Sequence, residues 1–430
     1  MPIEPAPSPT VGPAKPRLWS VLGPGLITGA SDDDPSGIAT YSQAGAQFGF
    51  GLSWTMLATW PLMVAIQEVS ARIGRTTGRG LAGNLRRHYP DALLQGIVAL
   101  LLLANIANIG ADLGAMADAL GLLVGGPHLL WVGLFGLGSV WAQVFVRYSR
   151  YTRTLKWASL SLFAYVAALA VVDVPWGRVA VQLVSPHLSL DEGFFTTLVA
   201  ILGTTISPYL FFWQSSQEAE DQRVAPEREP LLDAPQQAPR AMARIRTDTM
   251  VGMGFSNAIA LAIILTTGAT LNPAGVTTVA TAAQAAQALR PVAGPLAEAV
   301  FAAGILGTGL LAVPVLAGSA AYAVGEARKW PVGLGRRPME AKAFYVTIAL
   351  ATLLGVVLNF TPIDPIRALY WSAVVNGAVA VPVMVMVMLM ASRRRIMGPF
   401  AIGGWLKLTG WAATLVMAAC VGGMVAGWVV

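Results

Sequence analysis

About eleven stretches of this chain are apolar and long enough to cross a lipid bilayer, near the roughly 17–25 residues a spanning helix needs. They cover 19–47, 52–71, 92–124, 129–147, 154–172, 194–222, 247–270, 295–324, 341–360, 365–391 and 402–430. Such runs leave few folds open. In hydrocarbon every backbone N–H and C=O must find a partner within the protein, so a spanning segment is a helix or part of a closed barrel. These runs are continuous, without the short apolar/polar alternation of barrel strands. The expectation is an all-α membrane protein. Charged residues are only 12% of the chain and hydrophobic ones 55%, against about 25% charged in soluble domains.

Residues 1–16 are Pro-rich and lack the apolar core of a cleaved signal peptide, so 1–18 are expected to form a disordered cytoplasmic tail. Residues 19–430 then form the transmembrane domain. The single cysteine, Cys420, lies in the last apolar run and reads as a small packing residue. The 224–243 stretch is Pro-rich and reads as a linker. The many glycines inside the apolar runs read as helix-packing surface.

The net charge of +6 could point to nucleic acid, but its distribution points to topology. With the N-terminus inside, every inner segment is basic: Lys15 and Arg17, Arg72 to Arg87, Arg147 to Lys156, Arg223 to Arg246, Arg328 to Lys342 and Arg393 to Lys407. Only Arg178, Arg290 and Arg367 fall outside this set. Basic loops mark the cytoplasmic side, so the chain is expected in the cell membrane as a multi-pass protein, with the bilayer and not nucleic acid as its partner. Nothing in the sequence bears on its oligomeric state, and a monomer fits.

Two spans are badly placed for continuous helix. The first holds Asp34-Pro35-Ser36-Gly37 at its centre, and the sixth holds Ser207-Pro208-Tyr209. Proline removes a backbone donor and clashes with the preceding turn, and a carboxylate at bilayer depth is costly. Either feature could be a tolerated kink. Position favours another reading, because spans one and six open two successive five-span halves, about 19–172 and 194–391, with 402–430 as an extra helix. Interrupted helices at matching places in two halves point to a midplane binding site between inverted repeats. A carboxylate such as Asp34 there favours a cationic cargo.

These residues also resemble a family. The run from Gly23 to Gly49 is similar to the first span of the Nramp (SLC11-type) divalent-metal transporters, whose hallmark there is Asp-Pro-Gly-Asn. The resemblance continues through Gln67, Ala71-Arg72, Thr77-Gly78-Arg79, Tyr89-Pro90, Ala111-Asp112-Leu113, Pro208, Ser215-Ser216 and Arg244-Ile245-Arg246-Thr247-Asp248. It implies a leucine-transporter-like 5+5 inverted repeat with broken helices 1 and 6, and a metal site at the breaks. Asp34 matches the family's first-span Asp. Gly37 stands at the Asn, Ser207 at the Met, Tyr209 at the His, and Thr204 at the Ala whose carbonyl holds metal. Asp112 keeps the Asp of the third-span Asp-Leu-Ala-Glu, with Ala115 at the Glu. Asn376 is the nearest polar match to the tenth-span Gln. Loss of the Met and Asn resembles the Nramp-related magnesium branch. A thioether suits softer metals, whereas Mg²⁺ wants oxygens and keeps several waters.

The implied metal set is Asp34, Gly37, Thr204, Ser207 and Asn376, with Asp32, Asp33, Glu68, Asp112, Tyr209 and Gln214 as possible pathway residues. Asp32 and Asp33 read either as lining an outer vestibule or as a solvated acidic turn. Glu68 and Asp112 are functional candidates or structural hydrogen-bonding groups, and Asp118 is read as structural. Glu218, Glu220 and Asp221 read as a solvated face. His88, His128 and His187 all lie in loops or at span ends, so proton relay by imidazole is not expected. No nucleophile elbow, phosphate loop or zinc-ligand spacing points to an enzyme. The leading expectation is import of a divalent cation, Mg²⁺ or Mn²⁺, as cargo by alternating access, with no cofactor. The alternative is a sodium-coupled organic-solute symporter of the same architecture.

Overall fold

The computed structural model describes Gly29, residues 31–146, 162–186, 192–224 and 227–429. The expected 1–18 tail, residues 19–28 of the first span and 154–161 of the fifth lie outside them, as does His187. All regular structure among the described residues is helical. The principal helices are α1 (Pro35–Phe48), α2 (Trp54–Thr77), α3 (Leu81–His88), α4 (Asp91–Val124), α5 (His128–Phe145), α6 (Phe163–Ala168), α7 (Trp176–Val184), α8 (Glu192–Thr205), α9 (Pro208–Val224), α10 (Ala238–Thr270), α11 (Ala282–Gln287), α12 (Ala297–Arg328), α13 (Lys342–Leu358), α14 (Pro365–Ser392) and α15 (Gly404–Val429). Seven helical segments among the described residues are long and apolar enough to cross a membrane, and α13 is a shorter apolar helix.

Local chemistry sets several boundaries. Asp34 caps α1 and Asp364 caps α14, each followed by a proline in the first turn. There the missing N–H costs nothing and the fixed φ is already helical. The Asp364 carboxylate accepts from the N–H groups of Ile366 (2.9 Å) and Arg367 (3.4 Å). α2 stops at Gly78, whose φ of 65° is the left-handed conformation glycine adopts cheaply. α4 has 34 residues, about 51 Å of helix, so it outruns a hydrocarbon core of about 30 Å.

The helices pack in two groups. α1, α2, α9 and α10 pack against one another in one group, and α4, α5, α12 and α13 in the other. α14 touches both through α1, α2 and α4, and α15 lies against α2, α8 and α14. Glycines let backbones meet within and between these groups, as the sequence pattern implied. A Cβ on Gly45 of α1 would lie 2.5 Å from the Ile264 carbonyl of α10, and one on Gly203 of α8 would lie 2.0 Å from the Ala373 carbonyl of α14.

The loops after α2, α9 and α12 gather at one end, which is rich in arginine. Here two expectations fail. The 224–243 stretch is no free linker, because α10 already begins at Ala238 and Leu231 is fully buried. The Leu231 and Leu232 N–H groups donate to the carbonyls of Arg75 (3.3 Å) and Thr76 (3.2 Å), so the end of α2 supplies the partners that dock it. Nor do Glu218 and Glu220 form a solvated face. Both are buried. Glu218 pairs with Arg244 at 2.5 Å. Glu220 accepts from the Tyr322 hydroxyl and from the N–H groups of Leu334 (3.2 Å) and Gly335 (2.6 Å). Asp221 pairs with Arg228. Burial is tolerable because each buried acid has a cation or N–H and O–H donors at hand, although Glu218 Oε1 itself has no partner among the described residues.

Candidate cation site at the helix breaks

Both expected interruptions are present. Asp34 has extended backbone (φ −69°, ψ 172°) between helical residues on either side. α8 ends at Thr205 and α9 begins at Pro208, leaving Ile206 and Ser207 outside regular helix. Proline cannot donate, so each break frees carbonyls of the preceding turn. At the second break the Ser207 hydroxyl lies within donating distance of the Gly203 (2.6 Å) and Thr204 (2.7 Å) carbonyls.

Asp34 is 1% exposed. Its Oδ1 accepts from the Ser36 hydroxyl (2.6 Å) and the Gly37 N–H (2.8 Å). Its Oδ2 accepts from Asn108 Nδ2 (3.0 Å) and faces the Tyr209 hydroxyl at 3.3 Å. That hydroxyl is also 3.2 Å from the Ser31 carbonyl. Thr204 directs its hydroxyl at Tyr41 (3.0 Å) and the Ile201 carbonyl (3.0 Å). Every one of these groups is buried.

The charge balance is unusual. Asp32, Asp33, Asp34 and Asp112 are all buried, and among the described residues none pairs with Lys, Arg or His. The Ser256 hydroxyl lies 2.5 Å from Asp32 Oδ2 and 3.1 Å from Asp33 Oδ1, yet it has one proton to give. Among the described residues, Asp32 Oδ1, Asp33 Oδ2 and both Asp112 oxygens have no hydrogen-bond partner. An uncompensated buried carboxylate costs several kcal/mol. Among the described residues no three His, Cys, Asp or Glu groups converge as a resident metal cluster.

Several expectations change in detail. Asp32 and Asp33 are neither a solvated turn nor a vestibule wall, because Ser256 of α10 covers them. Gly37 brings no side chain, and its N–H donates to Asp34 Oδ1 (2.8 Å). A Cβ there would meet the Tyr41 ring at 3.2 Å and the Asp32 carbonyl at 3.3 Å. Glu68 does not join the breaks. It pairs with Arg72 at 2.5 Å and lines a lateral cavity with Trp60, Met250 and Trp405. Gln214 lies beyond the break toward the basic end, accepting from Gln67 (2.5 Å) and facing Thr249 (3.3 Å). Asn376 sits one residue back from Asp34, its Nδ2 3.5 Å from Asn108 Oδ1. Asp118 bonds His128 at 2.7 Å, as a structural acid would.

Asn108 escaped the sequence reading, as did Tyr41 and Ser256. A signal existed for the first. Asn105, Asn108 and Asp112 form a polar stripe at helical spacing in a segment of mean hydropathy 2.0. At the end opposite the basic loops, a cavity of about 390 Å³ opens between α1, α8 and α14. It is lined by Gln43, Gln47, Thr196, Tyr370 and Arg367, with no acid among its lining residues.

The family model described as "Natural resistance-associated macrophage protein-like" matches residues 25–427. The chain belongs to the Nramp family. Among curated Nramp relatives, the divalent metal cation transporter MntH of Burkholderia ambifaria is 27% identical over 415 residues, spanning 93% of this chain and 87% of its own. The crystal structure of the Eremococcus coleocola manganese transporter, bound to an aromatic bis-isothiourea compound, superposes with a TM-score of 0.73 at 18% identity. It covers 97% of this chain and 90% of its own. The structure of MhsT with L-phenylalanine gives a TM-score of 0.58 at 14% identity, over 94% and 98%. The fold is therefore the Nramp fold, within the wider broken-helix architecture.

Proposed function

We propose that this Nramp-family chain imports a hard divalent cation across the cell membrane, Mg²⁺ first and Mn²⁺ next, by alternating access around Asp34. One observation carries the choice of ion. The groups bonded round the breaks offer carboxylate, hydroxyl, carbonyl and amide, with no thioether, thiolate or imidazole among them. Oxygen donors suit Mg²⁺ and Mn²⁺, while softer metals gain from sulfur and nitrogen. MntH relatives are named for divalent metals, and family membership supports that class of cargo here.

The two packing groups supply the parts that rock against each other. The basic end, sealed by the Glu218, Glu220 and Glu326 contacts, is assigned to the cytoplasm by its arginines. The cavity at the other end then faces outward, and this state is closed inside.

The test is a flux assay in proteoliposomes with Mg²⁺, Mn²⁺ and an internal pH dye. Mg²⁺ should enter without sodium and without matching acidification, since no imidazole stands in the site. Asp34→Ala should reduce uptake to the level of empty vesicles. Wild-type uptake by Asp34→Ala would overturn the site, and sodium-dependent uptake of an organic solute would favour the symporter reading.

A further inference from the structure

The Asn at the first-span position of the family hallmark is replaced by Gly37, where the neighbouring Tyr41 ring leaves little room for a side chain. Its carboxamide is restored from a different helix. Asn108 projects from α4, fully buried, and its Nδ2 donates to Asp34 Oδ2 at 3.0 Å. That is the oxygen left over once Oδ1 has taken the capping bonds of α1.

The partner behind Asn108 completes the picture. Asn376 of α14 is also fully buried. Its Nδ2 lies 3.5 Å from Asn108 Oδ1, at the outer limit of a hydrogen bond, and its own Oδ1 has no partner among the described residues. A buried amide oxygen left unmatched is costly. A second arrangement of the same two side chains gives that oxygen a donor. Terminal amide torsions are broad and nearly two-fold, so each amide can exchange its nitrogen and oxygen by half a turn. With both turned, Asn108 presents Oδ1 toward Asp34 and gives its N–H to Asn376 Oδ1. The first arrangement complements an anion at Asp34, and the second complements a cation beside it.

We propose that Asn108 is a direct, hard-oxygen ligand of the transported cation, and that Asn376 is the positioning residue that stabilises its ligating orientation. This rests on the reading of Asp34 as the cation site. The pair replaces a lost local ligand with a neutral oxygen from the α4 group, so the cation ties α1 to α4 as it binds. A neutral amide oxygen adds little for soft ions and much for hard ones, which makes Asn108 a determinant of selectivity.

The experiment measures KM and kcat for Mg²⁺, Mn²⁺ and Cd²⁺ uptake by wild type, Asn108→Ala, Asn108→Asp, Asn376→Ala and Asn376→Gln in proteoliposomes. Thermal melts of each purified variant accompany the kinetics. Asn108→Ala should raise KM for Mg²⁺ and Mn²⁺ about 10–100-fold, with a clearly smaller rise for Cd²⁺. Asn108→Asp keeps an oxygen and should retain Mg²⁺ uptake, which separates ligation from folding. Asn376→Ala should raise the Mg²⁺ KM with kcat and melting temperature held, and Asn376→Gln should recover part of the loss. Unchanged KM in Asn108→Ala, or an equal rise for all three metals, overturns the inference while leaving Asp34 as the site. Failure of the wild type to carry divalent ions would instead overturn the underlying reading.

Discussion

Two regions of this molecule bury several carboxylates, and they treat them in opposite ways. At the basic end, Glu326 accepts from the N–H groups of Gly80 (3.1 Å) and Gly83 (2.9 Å) at the start of α3, and from the Ser216 hydroxyl (3.3 Å). Glu218 has the Arg244 cation on one oxygen, its other oxygen being unpartnered among the described residues, and Glu220 has Tyr322 and two backbone N–H groups. At the breaks, Asp32, Asp33 and Asp112 leave oxygens unpartnered, and Asp34 has neutral donors only. Satisfied acids fasten helices together. Under-satisfied ones can be neutralised by a positive charge, and the proposed transport site rests on that difference.

The sharpest contrast comes from removing one acid of each kind. Asp34→Asn is expected to abolish uptake yet leave the melting temperature in metal-free detergent little changed, because the carboxamide keeps an oxygen to cap α1 and the charge lost had no charged partner. Arg244→Ala should do the reverse. It strands Glu218, only 1% exposed at its side chain, and should cost about 3–5 kcal/mol of stability, read as a large drop in melting temperature. A normal melt for Arg244→Ala would break the distinction.

Smaller changes sharpen it. Glu326→Ala leaves two N–H groups at the start of α3 without acceptors and should cost about 1–3 kcal/mol, with faster amide exchange confined to Leu81–His88. Asp112→Asn removes a buried charge that has no partner, so stability should hold or rise in a denaturant or thermal titration. A clear loss there would show that Asp112 is a fastener after all.

The smallest effect concerns pH. His88, at the end of α3, is held below its ordinary value by burial and by Arg87, Arg395, Arg79 and Arg393. The folded state therefore disfavours its protonated form. Its contribution is present above about pH 6.5 and is lost as pH falls through the lower folded value. His88→Ala should flatten that slight acid slope in a melting curve measured across pH 5–8, and an unchanged slope would assign it elsewhere.

Much was legible in the chain itself. Apolar run length gave the class of fold, arginine placement gave the ends, and Asp-Pro and Ser-Pro gave the two breaks, because each depends only on neighbours in sequence. The pairing of the acids was not legible. Glu218, Glu220 and Asp221 look like any charged helix end, and only folding brings Arg244, Tyr322 and Gly335 to meet them. Asp32 and Asp33 look like a turn until Ser256 covers them.

The cation site divides in the same way. Asp34 and the break that carries it are local facts, fixed by a capping carboxylate before proline. Its fourth wall is not local. Asn108 lies 74 residues from Asp34, and Asn376 lies 268 from Asn108. Periodicity can say that Asn108 faces inward, but it carries no information about which distant helix that face will meet. The close approach at Gly309 of α12 bears on that, because a Cβ there would lie 2.5 Å from Met116 of α4 and 3.3 Å from Pro35 of α1. Sequence alone therefore determined that a membrane helix breaks at an acid. Tertiary packing decided which groups surround that acid.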